Sequence, residues 1–185
     1  CGVEYGLGGS EVCIRDRAWN ANPAVLHRGL VDLGIDPPSE EYLCSRDGWA
    51  DHYLHWLGAD RLSALDTSDY EGADVIADLN GPLPDLPGFS VVLDGGTIEH
   101  VVDVFSAFSG AMSLVAPGGR LLSVNPTNGE CGHGFYQFSP SLYWGLCSAD
   151  NGFRVDSMLI DHKGLNQRWY SVREPQQRST RVGWN

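Results

Sequence analysis

"VVLDGGTIEHV", residues 91–101, decides how the chain is read. An apolar run stops at Asp94 and two glycines, and Glu99 and His100 follow within one helical turn. With Phe89 and Ser90 ahead of it, the run "FSVVLD" is nearly continuous in apolar residues. Strands of that kind are usually buried on both faces, as in a parallel sheet. After it, Ile98, Val101, Phe105, Phe108, Met112 and Val115 recur at helical spacing, which predicts a helix beginning directly after the glycines. "PGG" at 117–119 is expected to end that helix, and "RLLSVNP" to form the next strand.

Working outward, the same alternation continues. "RLSALD" and "DVIADLN" read as strands upstream, and "GPLPDLPG" between them and Phe89 reads as irregular chain. "NPAVLHRGLVDLG" is a helix with Asn22 as cap, Pro23 at its first position and Gly34 as its stop. "GWADHYLHWLGA" is a second helix ended by Gly58, and "CGVEYGLGG" is a strand candidate ending in glycines. Downstream, "SPSLYWGLCSADNG" is a short helix and turn, and "FRVDSMLID" and "QRWYSVREP" are two closing strands. Strands alternating with helices imply an α/β sheet, mostly parallel, with an antiparallel pair at its end. In such sheets ligands bind beyond the carboxyl ends of the strands. Asp66, Asp78 with Asn80, Asp94 and Asn125 all fall at such ends. Singly, each suits a turn or a cap.

The bulk properties exclude several classes. A chain of 185 residues has the size of one ordinary domain. Its 24 carboxylates outnumber its 12 basic residues, and Lys163 is the only lysine. That balance argues against nucleic-acid backbones as partners. No apolar run is long enough for a membrane span. No secretory signal is evident either, so a cytoplasmic location is expected. The first residue is Cys, so the chain is expected to lack its natural start; a lipoprotein reading is disfavoured because Gly2 to Gly9 does not read as a tether. The five cysteines, at 1, 13, 44, 131 and 147, are odd in number and lack C-x-x-C spacing, so reduced thiols are expected. No Cys/His set has ligand spacing, so no metal is expected.

The series "LDTSDYEGADVIADLNGPLP", "FSVVLDGGTIEHV", "LVAPGGRLLSVNP" resembles the second half of a class I S-adenosylmethionine-dependent methyltransferase. It is closest to a bacterial small-molecule subgroup carrying "LDxSDYEGA", "DGGTxEHV" and "HGFYQFSP", over roughly residues 50 to 185. The resemblance implies a Rossmann-like fold: a mostly parallel seven-stranded sheet with an antiparallel C-terminal edge and helices on both faces. One domain would span 1–185, with residues 15–58 an enlarged helical segment between the first two strands.

It also implies roles. Asp66 would hold the cofactor's ribose hydroxyls, Asp78 and Leu79 the adenine, and Asp94, Gly95 and Gly96 would line the methionine side or the methyl-transfer site. Glu4, Gly6 and Gly8 partly match the family's first glycine motif, with Ser10 in place of its last glycine. They lie much further from Asp66 than the family's usual spacing of about twenty residues. "NPTNGECGHGFYQFSPSLYWG" follows the fifth strand and would wall the acceptor. His133 and His100 are the candidate bases, with Tyr136, Gln137 and Asn125 as acceptor-binding residues.

The physical chemistry agrees with these roles. A carboxylate accepts two ribose hydroxyls in charge-assisted bonds. A sulfonium cation suits carboxylates and aromatic rings. The expected activity is methyl transfer from S-adenosylmethionine to an oxygen or nitrogen of a small molecule. The alternative is a non-catalytic binding subunit of the same fold with a degenerate cofactor site. A nicotinamide-dependent reductase is disfavoured, because Lys163 has no Tyr four residues before it. The acceptor and the oligomeric state are not legible in the sequence.

Overall fold

The computed structural model describes residues 10–15, 23–32, 34–39, 49–69, 72–162 and 168–174. The chain divides into two compact units. The first comprises residues 1–126 and 132–136, the second 127–131 and 137–185.

The first unit is built on a five-stranded parallel sheet in the order β3-β2-β1-β4-β5. Its strands are β1 (Ser10–Arg15), β2 (Ala59–Asp66), β3 (Val75–Ile76), β4 (Phe89–Asp94) and β5 (Val115–Ser123). β4 is the strand expected from "FSVVLD". It lies between β1 and β5, and Phe89, Val91, Val92 and Asp94 are buried. Each fully buried valine or phenylalanine contributes roughly 1.5–3 kcal/mol. β1 begins at Ser10, after the nine residues expected to hold the first strand; those nine lie outside the described residues.

Two helices precede β2 in the described chain: α1 (Pro23–Asp32) and α2 (Asp51–Trp56). α1 starts at Pro23, whose fixed φ suits a first helical position. Gly34, at φ 75°, turns the chain out of it, with the Gly34 and Ile35 amides donating to the Val31 and Leu30 carbonyls.

The helix expected directly after Gly96 is divided. Ile98–His100 form a single 3-10 turn, and Val101 is extended at φ −96° and ψ 126°. α3 (Val104–Ser113) begins only at Asp103, whose carboxylate accepts from the Ser106 amide and hydroxyl. The Asp103 amide in turn donates to the Asn80 side chain. This break resets the helical phase. The buried face of α3 is Ala107, Phe108 and Ala111, and Phe105 is left 67% exposed.

β5 also departs from expectation, because it runs through "PGG" instead of starting after it. Val115 pairs with Phe89, yet Arg120 pairs with Val91, so extra residues bulge out of the edge strand between them. Gly119 makes the bulge possible. A Cβ there would lie 2.9 Å from the Ser90 and Ala116 carbonyl oxygens and 3.0 Å from that of Phe89.

The second unit contains α4 (Pro140–Leu146), a 3-10 turn at Ala149–Asn151, and strands β6 (Leu159–His162) and β7 (Arg168–Ser171). Ser139 caps α4 by accepting from the Ser141 amide, with Pro140 at the first helical position. β6 and β7 are antiparallel, with Ile160 opposite Tyr170. Among the described residues they form a two-stranded sheet of their own, so the expected seven-stranded sheet is observed as five plus two. The two strands are consecutive in the chain, which favours their pairing with each other. That adjacency carries no information on which open edge, if any, the pair then joins.

No helix is long and apolar enough to cross a membrane among the described residues.

Candidate functional site

In a parallel sheet every carboxyl end lies on one edge. Here the strand order reverses about β1, with β2 on one side and β4 on the other, which is where open α/β sheets form a ligand crevice. Asp66 ends β2 and Asp94 ends β4, two strand positions apart across β1. Asp78 follows β3, and Ser123 and Asn125 lie at and just past the end of β5.

Asp94 is 4% exposed, and both of its oxygens are used within the protein. Oδ1 accepts from the amides of Thr97 and Ile98 at 3.1 and 3.3 Å. Oδ2 accepts from the Ser123 hydroxyl at 2.8 Å and the Asn125 side-chain amide at 2.6 Å. The Asp94 carbonyl accepts from the Val124 amide. A carboxylate offers about four lone-pair sites, so this one is filled. Asp94 thereby shapes the turn at 95–98 and ties it to β5. Asn125, expected to meet the acceptor, spends its NH2 group on Asp94 and Ser123, and its Oδ1 is buried with no partner.

The turn that Asp94 holds presents Glu99, which is 1% exposed. The segment 133–136 returns to this turn from 34 residues further on. The amides of Phe135 and Tyr136 both donate to the Glu99 carbonyl, at 2.8 and 3.1 Å. The Tyr136 hydroxyl donates to the Val102 carbonyl at 2.7 Å. Gly134 permits the docking, since a Cβ there would lie 2.9 Å from the Glu99 carbonyl oxygen and 3.0 Å from its Cγ. His133 is thus fixed beside the turn. Its Nε2 lies 3.6 Å from Glu99 Oε1, and His100 Nε2 lies 3.9 Å from the same oxygen. The two imidazoles meet edge to face with centroids 5.0 Å apart, and both are about half exposed.

Burial pushes the Glu99 carboxyl above its ordinary value, and the charge of Asp94 adds to this, against its own backbone hydrogen bond and the two imidazoles. Glu99 Oε2 is buried without a hydrogen-bond partner. A half-satisfied buried carboxylate beside two exposed imidazoles can pass a proton outward or share a cation. Spacing rules did not register this cluster, because one of its members arrives by tertiary docking. Glu99 lies in the motif "DGGTIEHV", and a carboxylate beside an imidazole one turn after a buried strand is the sequence signal for it.

The remaining candidates fall as follows. Asp66 is half-buried; its Oδ1 accepts from the Thr67 hydroxyl and the Ser68 amide, and these are its side-chain bonds among the described residues. Asp78 Oδ1 accepts from the backbone and side chain of Asn80, while Leu79 is core, 6% exposed. A cavity of about 30 Å³ lies against Leu79, Val92, Asp94, Ala111 and Leu114. It has room for a water or two, far less than a nucleoside needs. Gly96, at φ 94°, does meet a close neighbour, but that neighbour is Glu99 Oε1, 3.3 Å from a built Cβ. Gln137, in the second unit, accepts from the Glu130 amide with Oε1, at 3.0 Å. Glu4, Gly6 and Gly8 lie outside the described residues.

Compared with protein-family models, with curated proteins and with solved structures, the chain matches none.

Proposed function

We propose that the protein transfers a methyl group from S-adenosylmethionine to an oxygen or nitrogen of a small molecule, on a Rossmann-like sheet. The observation that carries this reading is Asp66. It ends β2 beside the reversal in strand order, its Oδ1 is held by Thr67 and Ser68, and Oδ2 has no bond from the described residues. A carboxylate so oriented suits a vicinal diol, which is the recognition feature of a ribose.

The donor set at the strand ends fits such a cofactor. Asp66 would hold the ribose, and the turn Asp78–Leu79 the adenine edge. Glu4, Gly6, Gly8, Gly95 and Gly96 would line the methionine side. When bound, the cofactor supplies an electrophilic methyl group. The chain's own contribution is to align the acceptor and exclude water. Asp94 acts at one remove, by fixing the turn that carries Glu99 and His100. In the metal-free protein, His133 and His100 expose imidazoles that can take a proton from a hydroxyl acceptor.

The alternative, a binding subunit of this fold without catalysis, draws support from Tyr136, Gln137 and Asn125. Each was expected at the acceptor wall, and each has polar atoms bonded inside the protein. Calorimetric titration with S-adenosylmethionine separates the readings. Saturable binding that Asp66→Ala weakens supports the transferase, and absence of binding to the folded chain supports the scaffold.

A further inference from the structure

We propose that Glu99, His100 and His133 form a binding site for a single divalent transition-metal ion of the zinc class. One ligand atom from each lies within 4.8 Å of the others. Ligands around a tetrahedral zinc ion, with bonds of about 2.0–2.2 Å, stand about 3.3–3.6 Å apart. The Glu99 Oε1 distances of 3.6 Å to His133 and 3.9 Å to His100 are therefore within a few tenths of an ångström of that spacing. The two imidazole ligand atoms, within 4.8 Å of each other, would draw closer on binding by rotation of the two half-exposed rings.

The second observation is independent of the spacing. Glu99 is 1% exposed, and its Oε2 has no hydrogen-bond partner. An unmet buried acceptor is costly, and a charged one more so. The imidazole nitrogens stand at 3.6 and 3.9 Å from the other oxygen, Oε1, beyond hydrogen-bond length, so neither ring forms a hydrogen bond to it. A cation between the three groups would compensate the carboxylate and draw all three inward.

The ligand types choose the ion. Two imidazole nitrogens and one carboxylate suit zinc, iron, cobalt or nickel, and they disfavour magnesium and calcium, which take oxygen ligands. Three protein ligands on one side, with both imidazoles open to solvent, leave at least one position for a water or an oxygen ligand. The surroundings hold the ligands in place. Gly134 and the amides of Phe135 and Tyr136 bind the His133 segment to the Glu99 carbonyl. Asp94 fixes the turn below.

The site is testable without any methyl-transfer assay. Protein stripped with a chelator and dialysed is titrated with Co²⁺, followed by visible absorption and by calorimetry, then challenged with Zn²⁺. The expected result is one Co²⁺ per chain, displaced by Zn²⁺. His133→Ala and His100→Ala alter half-exposed side chains, so both should stay folded by circular dichroism. Each should weaken binding by about a hundredfold or more, since even partners that only orient a ligand cost ten- to a hundredfold. Glu99→Gln should abolish binding. Three results overturn the proposal: no saturable Co²⁺ binding by the folded chain, affinity unchanged in both histidine variants, or a thiolate charge-transfer band placing the ion on cysteine. Any of them would leave the cluster as an ion pair alone.

Discussion

Gly134 lies directly on Glu99: a Cβ at residue 134 would sit 2.9 Å from the Glu99 carbonyl oxygen. The absence of one carbon atom lets a segment 34 residues downstream seal the turn and bring His133 to the carboxylate. Gly134→Ala should therefore push the two backbones apart. Overpacking of this kind costs about 1–3 kcal/mol. A urea midpoint unchanged from the parent would show that the contact relaxes freely.

Asp66 and Asp94 end neighbouring-but-one strands, yet they should respond oppositely to removal. Asp94→Ala removes the acceptor of the buried Thr97 and Ile98 amides and one acceptor of the half-buried Ser123 hydroxyl and Asn125 side-chain amide. It should cost at least about 3 kcal/mol of stability in equilibrium denaturation. Asp66→Ala should leave stability within about 1 kcal/mol of the parent and weaken S-adenosylmethionine binding by about 2–4 kcal/mol. A stable Asp94→Ala, or an Asp66→Ala with full cofactor affinity, would reverse the roles assigned to the two.

Glu99 predicts the sign of a pH effect in metal-free protein. Its carboxyl is raised in the folded state above the ordinary 4.5. The native state therefore holds a proton that the unfolded chain has already released. The resulting stabilisation is complete below pH 4.5 and is lost as pH rises through the raised folded value. Glu99→Gln should flatten this part of the stability profile measured in chelator. An identical slope in parent and variant would mean that Glu99 is not the group responsible.

Tyr136 fastens the docked segment from its other end, through its hydroxyl on Val102. Tyr136→Phe should cost about 0.5–1.5 kcal/mol, the net worth of one such bond. Amide hydrogen exchange at Phe135 and Tyr136 should accelerate with it, because both amides depend on the same docking. Unaltered exchange there would assign the docking to the Glu99 carbonyl alone.

The parallel sheet was legible where one strand carried its own signal. "FSVVLD" is apolar enough to require cover on both faces, and it is β4, between two neighbours. Pro23 and Gly34 likewise marked the ends of α1 from local chemistry alone. After β4 the apolar periodicity continues across a break in the helix. Ile98, Val101 and Phe105 keep helical spacing, but the Asp94 carboxylate and the Asp103 cap impose two separate turns on them. β5 starts before its expected position because Pro117–Gly119 punctuate a bulge and not a helix end. At the candidate site, residue types were legible and their partners were not. His133 could be named from its loop, whereas its neighbour Glu99 follows from a glycine contact that no spacing encodes.

The Asp94 carboxylate also bears on the order of assembly. Its oxygens reach residues 3 and 4 positions ahead and residues 29 and 31 positions ahead. The near bonds require almost no loop closure, while the far ones wait for α3 and the return of the chain. We expect the 94–98 turn to form early and β5 to arrive at a carboxylate already oriented by its own amides. Φ-values should then be high for substitutions at Thr97 and low for Ser123→Ala, and the opposite pattern would refute this order. On this account one side chain serves first as a local template and later as a latch, and the edge of the sheet closes last.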